Sequence, residues 1–346
     1  MTFNTAALLA PAPNAEFERG TVPRRDVAAD DVLIDIKFAG ICHSDIHQVR
    51  EEWGSSTFPM VPGHEIAGIV AEVGENVTKF KVGDRVGVGC FVDSCGECEW
   101  CEIGEEQHCR KNVGTYNSRE HNGDLTYGGY SKQIVVKQDY VLRIPDAIEL
   151  DVAAPLLCAG ITTYSPLRQW GAGPDKRVAV IGMGGLGHMA VKFAHAMGAH
   201  VTVISQTRSK EADGRRFGAD DYRAMNEPGS LKELRSSFDL IICTVSADMN
   251  IDAYLRTLRV GGALVFVGLP ENPQSFRVSS VISGRRSLAG SNIGGIRETQ
   301  EMLDFSAEHG LAADIELIGA DEVDAAYDRV VASDVRYRFV IDTATI

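Results

Sequence analysis

The sequence predicts an α/β chain of two domains, a β-rich one interrupted by a doubly wound parallel sheet. Three observations predict it. At 346 residues the chain is long enough for two separate cores. The stretch RVAVIGMGGLGHMAVKFAHAMGAHVTVIS, beginning at Arg177, reads as strand, glycine turn, helix and strand. Side chains of metal-ligand type stand before that unit (Cys42, His64) and at its edge (Cys158), so the parallel sheet is expected as an insertion in the other domain.

Composition narrows the function classes. Hydrophobic residues make up 44% and charged residues 24%, which is globular usage rather than disorder. The net charge of −14 argues against a nucleic-acid partner. The apolar patch near the N-terminus lacks a basic flank and is broken by Pro11 and Pro13, so it does not read as a signal core. No apolar run approaches the ~20 residues that span a bilayer. A cytoplasmic location without membrane partners is expected, and there reduced thiols favour metal over disulfides.

Taken in chain order, VLIDIKFAG (32–40) alternates like a strand and delivers Cys42 into a Cys-His-Ser-Asp-x-His cluster. In VPGHEIAGIVAEVGENVTKFKVGDRV, His64 and Glu65 follow Pro62-Gly63, and the alternation with Gly68 and Gly74 predicts a tight β-hairpin. The segment SCGECEWCEIGEEQHC then places Cys95, Cys98, Cys101 and Cys109 at C-x2-C-x2-C-x7-C spacing. Short loops bearing Gly96 and Gly104 can fold four thiolates onto a tetrahedron, the closed coordination of a structural zinc. The bacterial iron–sulfur run is excluded, because it needs three residues before its last cysteine and a proline after it, whereas Arg110 follows here. A closed site performs no chemistry. Cys42, His64 and Cys158 (in AAPLLCAGITTY) read singly as a buried thiol, a satisfied histidine and a packed cysteine. Together they supply two sulfurs and one imidazole, leaving a fourth position open as a catalytic zinc requires.

The glycine turn Gly182-Met183-Gly184-Gly185-Leu186-Gly187 lies between the apolar strand 178–181 and a helix expected to run to Met197. In that context G-x-G-x-x-G is a dinucleotide fingerprint: the backbone approaches a pyrophosphate at a helix N-terminus. The second strand, 201–204, ends in Ser205-Gln206-Thr207-Arg208-Ser209-Lys210. A carboxylate that would bind free ribose hydroxyls is missing there, and hydroxyls with two cations suit a 2′-phosphate, so NADP(H) is expected. LIICTV and ALVFVG, with a helix expected over 250–259 between them, continue the doubly wound sheet. The amphipathic run 297–308, capped near Gly310, begins the return to the first domain.

These motifs resemble the zinc-dependent medium-chain alcohol dehydrogenases, most nearly the cinnamyl-alcohol-dehydrogenase-like branch of NADP-dependent aldehyde reductases. The likeness runs along essentially the whole chain. It includes GHE-x2-G-x5-G-x2-V (63–77), the four-cysteine lobe, GMGGLG, GSNIGG (290–295) and DVRYRF (334–339). The resemblance implies a GroES-like β-rich catalytic domain over 1–157 and 296–346, with a Rossmann domain over 158–295 and the active site in the cleft between. It implies two Zn²⁺ per subunit, with Cys42, His64 and Cys158 as catalytic ligands and Glu65 able to replace water during ligand exchange. Asp45 would orient His64, Ser44 would sit beside the reacting oxygen, and His47 would carry its proton to solvent. Thr162, residues 182–187 and 205–210, Thr244, Gly268, Ser291, Asn292 and Ile293 fall on cofactor-binding positions, Ser44 touches the cofactor as well, and Arg336 would reach the pyrophosphate. The implied reaction is reversible hydride transfer between primary alcohols and aldehydes, in a homodimer. Aromatic members of the branch carry phenylalanine where this chain has Asn292, so a broad range of aliphatic or aromatic substrates is expected.

Three rival readings fit less. A zinc-free quinone reductase would lack both metal sets, and polyol dehydrogenases tend to have a carboxylate where Cys158 stands. A zinc-ribbon nucleic-acid binder explains only the four-cysteine lobe, against the charge and the glycine fingerprint.

Overall fold

The computed structural model describes residues 2–227 and 229–346. The chain forms two compact units, Met1–Ile161 with Gly294–Ile346, and Thr162–Ile293. The insertion expected from the sequence spans 158–295. Here the first unit extends through Ile161 and resumes at Gly294, which keeps Cys158 in the same unit as Cys42 and His64.

The first unit is built on a mixed sheet ordered Ile315–Ile318, Arg338–Asp342, Asp31–Gly40, Ile66–Val73, Arg85–Val88, Leu142–Arg143, with Gln133–Lys137 also paired to Asp31–Gly40. The alternating pattern read in 32–40 has a physical basis, since Val32, Ile34 and Ile36 point into the core. Ile66–Val73 and Arg85–Val88 pair antiparallel, Ile66 opposite Val88, but residues 74–84 join them, so the expected tight hairpin is instead two strands with a long connection. Thr2–Leu9 and Glu18–Arg25 form a separate antiparallel ribbon. A buried cluster that includes Ile41, Ile46, Met60, Tyr130, Tyr327 and Phe339 lies under the segments that carry Cys42 and His64.

The second unit is a six-stranded, all-parallel sheet. Its order is Asp221–Ala224, His200–Ser205, Arg177–Ile181, Phe238–Cys243, Leu258–Phe266, Ser287–Gly290. Strand order reverses direction between Arg177–Ile181 and Phe238–Cys243, and ligands of such sheets bind beyond the carboxyl ends of the strands at that point. The central strands are continuous apolar runs, buried on both faces as parallel strands are. The helix expected over 250–259 is shorter, Ile251–Leu255, and the following strand already begins at Leu258. Thr257 ends the helix by donating its hydroxyl to the Tyr254 carbonyl at 2.7 Å, and the fully buried Leu258 pairs with Phe238. No helix among the described residues is long and apolar enough to cross a membrane.

Candidate functional site

Two clusters of metal-ligand side chains occur among the described residues. Cys42, His64, Glu65 and Cys158 form one, and Cys95, Cys98, Cys101 and Cys109 the other. In each, the ligand atoms lie within 4.8 Å of one another.

The first cluster is assembled by a strand end, a turn and a helix start. Asp31–Gly40 delivers Cys42 to the N-cap of the helix His43–Val49. Asp45, fully buried, is the hub: it accepts from the backbone N–H of Cys42 (2.9 Å) and of Gly63 (3.2 Å), lies 3.0 Å from His64 Nδ1, and accepts from the Tyr130 hydroxyl at 3.3 Å. That contact assigns the proton to Nδ1 and leaves Nε2 as the free lone pair. Cys158 follows the 3₁₀ turn Ala154–Leu157, and its Sγ stands 3.9 Å from Cys42 Sγ. The two thiols share a hydrogen bond in which Cys42 is the one drawn well below the usual thiol value. Burial works to lower His64, yet the charge and hydrogen bond of Asp45 outweigh it, with Cys90 and Cys42 adding to the rise.

Glu65 is fully buried beside these groups. Arg338 donates to its Oε1 at 2.6 Å and to the Ile41 carbonyl at 2.7 Å. Burial pushes the Glu65 carboxyl up to about 8 against the lowering charge of Arg338. Its Oε2 is buried without a hydrogen-bond partner. An orphaned carboxylate oxygen next to two thiols and an imidazole lone pair is a donor set suited to a divalent, borderline-soft cation, and it fits zinc.

The Ser44 hydroxyl lies 3.6 Å from Cys42 Sγ. His47, one helical turn on, pairs through Nδ1 with the Glu52 carboxylate and stacks on Trp53 with centroids 4.7 Å apart. Glu52 and Arg338 were not singled out in the sequence, and neither was Cys90, whose thiol reaches the Leu157 carbonyl at 3.9 Å and, after Cys42, helps raise Cys158.

In the second cluster, Cys98 caps the short helix Glu99–Ile103, which ends at Gly104 in the left-handed region. Sγ separations are 3.5 Å (Cys109 to Cys95), 3.6 Å (Cys98 to Cys101) and 3.9 Å (Cys95 to Cys101). Backbone N–H groups of Cys95 and Lys111 point at Cys109 Sγ. Ser94 Oγ contacts Cys101 Sγ at 3.1 Å and the Tyr140 hydroxyl at 2.8 Å. The Cys95 thiol is drawn down to about 6, first by the backbone N–H of Glu97. Four convergent sulfurs with amide donors around them fit a closed zinc site.

The glycine turn opens at the end of Arg177–Ile181. Gly182 has φ +96°, and a Cβ on Gly187 would stand 2.2 Å from the Gly182 carbonyl oxygen, so neither position accepts a side chain without distortion. Helix Gly185–Ala196 starts there, its first N–H groups directed past the turn. Thr244 ties the next strand end to this turn by donating to the Ile181 carbonyl at 2.8 Å. Gly268 follows the strand after it, with its N–H on the Cys243 carbonyl, and Ser291 donates to Phe266. Thr162 and Ile293 bound the same unit, with Asn292 exposed near its end. Arg336 belongs to the first unit, its N–H on Glu316.

Ser205 ends the strand His200–Ser205, Gln206 follows it, and Thr207 hydrogen-bonds Ser209. Arg208 is held by two carboxylates. Glu227 takes it bidentately, at 2.5 Å on Nε and 2.9 Å on Nη2, and Glu211 takes Nη1 at 2.7 Å. Lys210 caps the helix Glu211–Arg216.

Comparison with known proteins places this geometry. Residues 28–146 match the alcohol dehydrogenase GroES-like domain, and residues 185–308 match the zinc-binding dehydrogenase domain. The chain is 60% identical over 333 residues to a probable formaldehyde dehydrogenase, AdhA, of Bacillus subtilis, covering 96% of this chain and 95% of that one. It is 59% identical over 343 residues to the NADP-dependent alcohol dehydrogenase C 1 of Mycolicibacterium smegmatis, covering 99% and 98%. The crystal structure of a cinnamyl alcohol dehydrogenase from Helicobacter pylori complexed with NADP(H) matches with TM-score 0.93 at 42% identity, over 99% of both chains. A chain with this two-unit fold and both cysteine-bearing clusters, matched over nearly its full length, belongs to the zinc-dependent medium-chain alcohol dehydrogenases, in their cinnamyl-alcohol-dehydrogenase-like branch.

Proposed function

We propose that the chain is a zinc- and NADP(H)-dependent alcohol dehydrogenase and aldehyde reductase, with primary alcohols and aldehydes of broad structure as substrates. The observation that carries this reading is the buried set Cys42, His64, Glu65 and Cys158. It is separate from the four-cysteine lobe and holds more ligand types than packing alone requires.

Cys42, His64 and Cys158 would hold the catalytic metal, and Glu65 would lend its unpartnered Oε2 when water or substrate exchanges. Bound there, zinc supplies Lewis acidity towards the substrate oxygen, while the nicotinamide supplies or accepts hydride. The protein's own work is positional. Asp45 fixes the His64 tautomer, and Arg338 holds Glu65 in place through Oε1. The Ser44 hydroxyl, beside Cys42, would accept the substrate's proton on Oγ while giving up its own O–H proton towards solvent as alcohol is oxidised. His47 would pass that proton to solvent, its ring held through Nδ1 by Glu52. Cys95, Cys98, Cys101 and Cys109 would hold the structural zinc.

NADP(H) would lie along residues 182–187 with Thr162, Thr244, Gly268 and residues 291–293, and its 2′-phosphate would meet Ser205, Thr207, Arg208 and Lys210. A cytoplasmic homodimer completes the reading; the outer strand Ser287–Gly290 and the exposed Val278 and Ile282 support the dimer. The test combines metal analysis with turnover. The purified protein is expected to carry two zincs, and Cys158→Ala to keep one zinc, its fold and NADPH binding while losing turnover by at least about a thousandfold, the scale on which a missing electrophile acts. Turnover near that of the parent in this variant would sink the Cys2His assignment.

A further inference from the structure

We infer that Glu227 is a cofactor-specificity residue: its carboxylate sits in the guanidinium fork of Arg208 that a nucleotide 2′-phosphate would use, and it limits how strongly the chain prefers the phosphorylated cofactor. This rests on the NADP(H) reading of residues 205–210.

The juxtaposition is built by the sheet. Asp221–Ala224 runs parallel to His200–Ser205, and the pairing continues past both strand ends, where Met225 N–H donates to Ser205 O at 2.8 Å and Asn226 N–H to Gln206 O at 3.1 Å. Glu227 is thereby held beside the loop that carries Arg208. It takes the Nε and Nη2 hydrogens together, at 2.5 and 2.9 Å. A phosphate accepts from the same two positions, because carboxylate and phosphate both match the planar fork. Glu211 holds only Nη1, at 2.7 Å, shares itself with Arg215 at 3.5 Å, and is a local partner three residues along. Glu227 is therefore the residue whose place a 2′-phosphate must take.

The exchange is feasible because the pair is open to water. The side chains of Arg208 and Glu227 are 46% and 44% exposed, so a displaced carboxylate is rehydrated rather than stranded. Nevertheless the pair must part before the phosphate can occupy the fork, and any carboxylate remaining nearby repels a phosphate dianion. A cofactor with a free 2′-hydroxyl makes no such demand. Glu227 therefore weakens NADP(H) while leaving NAD(H) alone, and it holds the site's selectivity below what Arg208 could supply unopposed.

The experiment measures binding to the full-length, zinc-loaded protein, by calorimetry and by nicotinamide fluorescence. The ligands are NADPH, NADH and the fragments 2′,5′-ADP and 5′-AMP. Glu227→Gln, which keeps the shape and loses the charge, is expected to tighten NADPH and 2′,5′-ADP by about 3- to 10-fold, and to shift NADH and 5′-AMP by less than about 2-fold. Glu227→Ala should act in the same direction, with thermal midpoints confirming that both variants fold. In an Arg208→Ala background the gain should vanish, since the fork is gone. If Arg208→Ala weakens NADPH but Glu227→Gln leaves it unchanged or weaker, Glu227 is idle or orients Arg208, and the inference fails while the NADP(H) reading stands. If the parent binds NADPH no better than NADH and Arg208→Ala changes neither, both fail.

Discussion

Removing a charge from water is costly enough that a fully buried carboxylate needs an answering group close by. Glu65 has one in Arg338, which reaches it across 273 positions of sequence, and the arginine is itself satisfied by the Ile41 carbonyl. Replacing Arg338 with Met strands Glu65 in a closed site, and breaking a buried pair from one side costs about 3–5 kcal/mol. Urea unfolding of the zinc-loaded variant should show that loss, with partial recovery in the double variant Arg338→Met/Glu65→Gln; a loss below about 1 kcal/mol would show that the pair does not secure the site. Ser205 offers a second test at this scale. Ser205→Asp sets a carboxylate against the 2′-phosphate and gives a free ribose hydroxyl a partner. The ratio of kcat/KM for NADPH over NADH should fall at least about tenfold, one charge-assisted hydrogen bond's worth, and an unchanged ratio would remove Ser205 from the phosphate pocket. The metal-ligand types were legible because cysteine and histidine announce themselves by type and local spacing. Arg338, Glu52 and Glu227 were not, because an arginine or glutamate gives no local sign of the partner that the fold will bring to it.

At the level of elements, the glycine turn shows how backbone alone carries function. Gly182 occupies a positive φ, and Gly187 lies against the Gly182 carbonyl, so the helix Gly185–Ala196 can begin directly beneath the turn. Gly187→Ala would force its Cβ to within 2.2 Å of that oxygen unless the turn opens. NADPH affinity should drop at least about tenfold while zinc content stays at the parent's level; unaltered affinity would mean the turn does not cradle the pyrophosphate. This turn was readable from sequence because strand, glycines and helix occur in one uninterrupted run. The sequence predicts one helix over 250–259, but Leu258 packs into the sheet beside Phe238 and the strand claims it. Tertiary pairing overrode local periodicity there. The connection 74–84 was misjudged for a related reason: Gly74 suggested a tight turn, while the partner strand begins only at Arg85.

Across the whole molecule, the chain enters the parallel-sheet unit once and leaves it once, and the metal-ligand clusters and the glycine turn fall in different units. Both metal-ligand clusters lie within Met1–Ile161, whereas the glycine turn and the 205–210 loop lie within Thr162–Ile293. Metal and nucleotide should therefore stabilise different stretches of sequence. Ligand that binds only the folded form adds about 2.7 kcal/mol at a hundred times its Kd, and the added protection appears first in the segments whose local opening breaks the site. The four-cysteine lobe has little apolar core of its own, since among Cys95, Cys98, Cys101 and Cys109 only Cys109 is buried, so its order should depend on metal. Hydrogen exchange followed by mass spectrometry can read both effects on one protein. Chelation of zinc should accelerate exchange in peptides covering 94–112 and around 42 and 64, and leave 177–205 as slow as before. NADPH should instead slow exchange at 182–188 and 205–211 with the lobe unchanged. Acceleration through Thr162–Ile293 on chelation, or an unaffected lobe, would contradict a metal that folds the lobe of one unit and a nucleotide that braces the turn of the other.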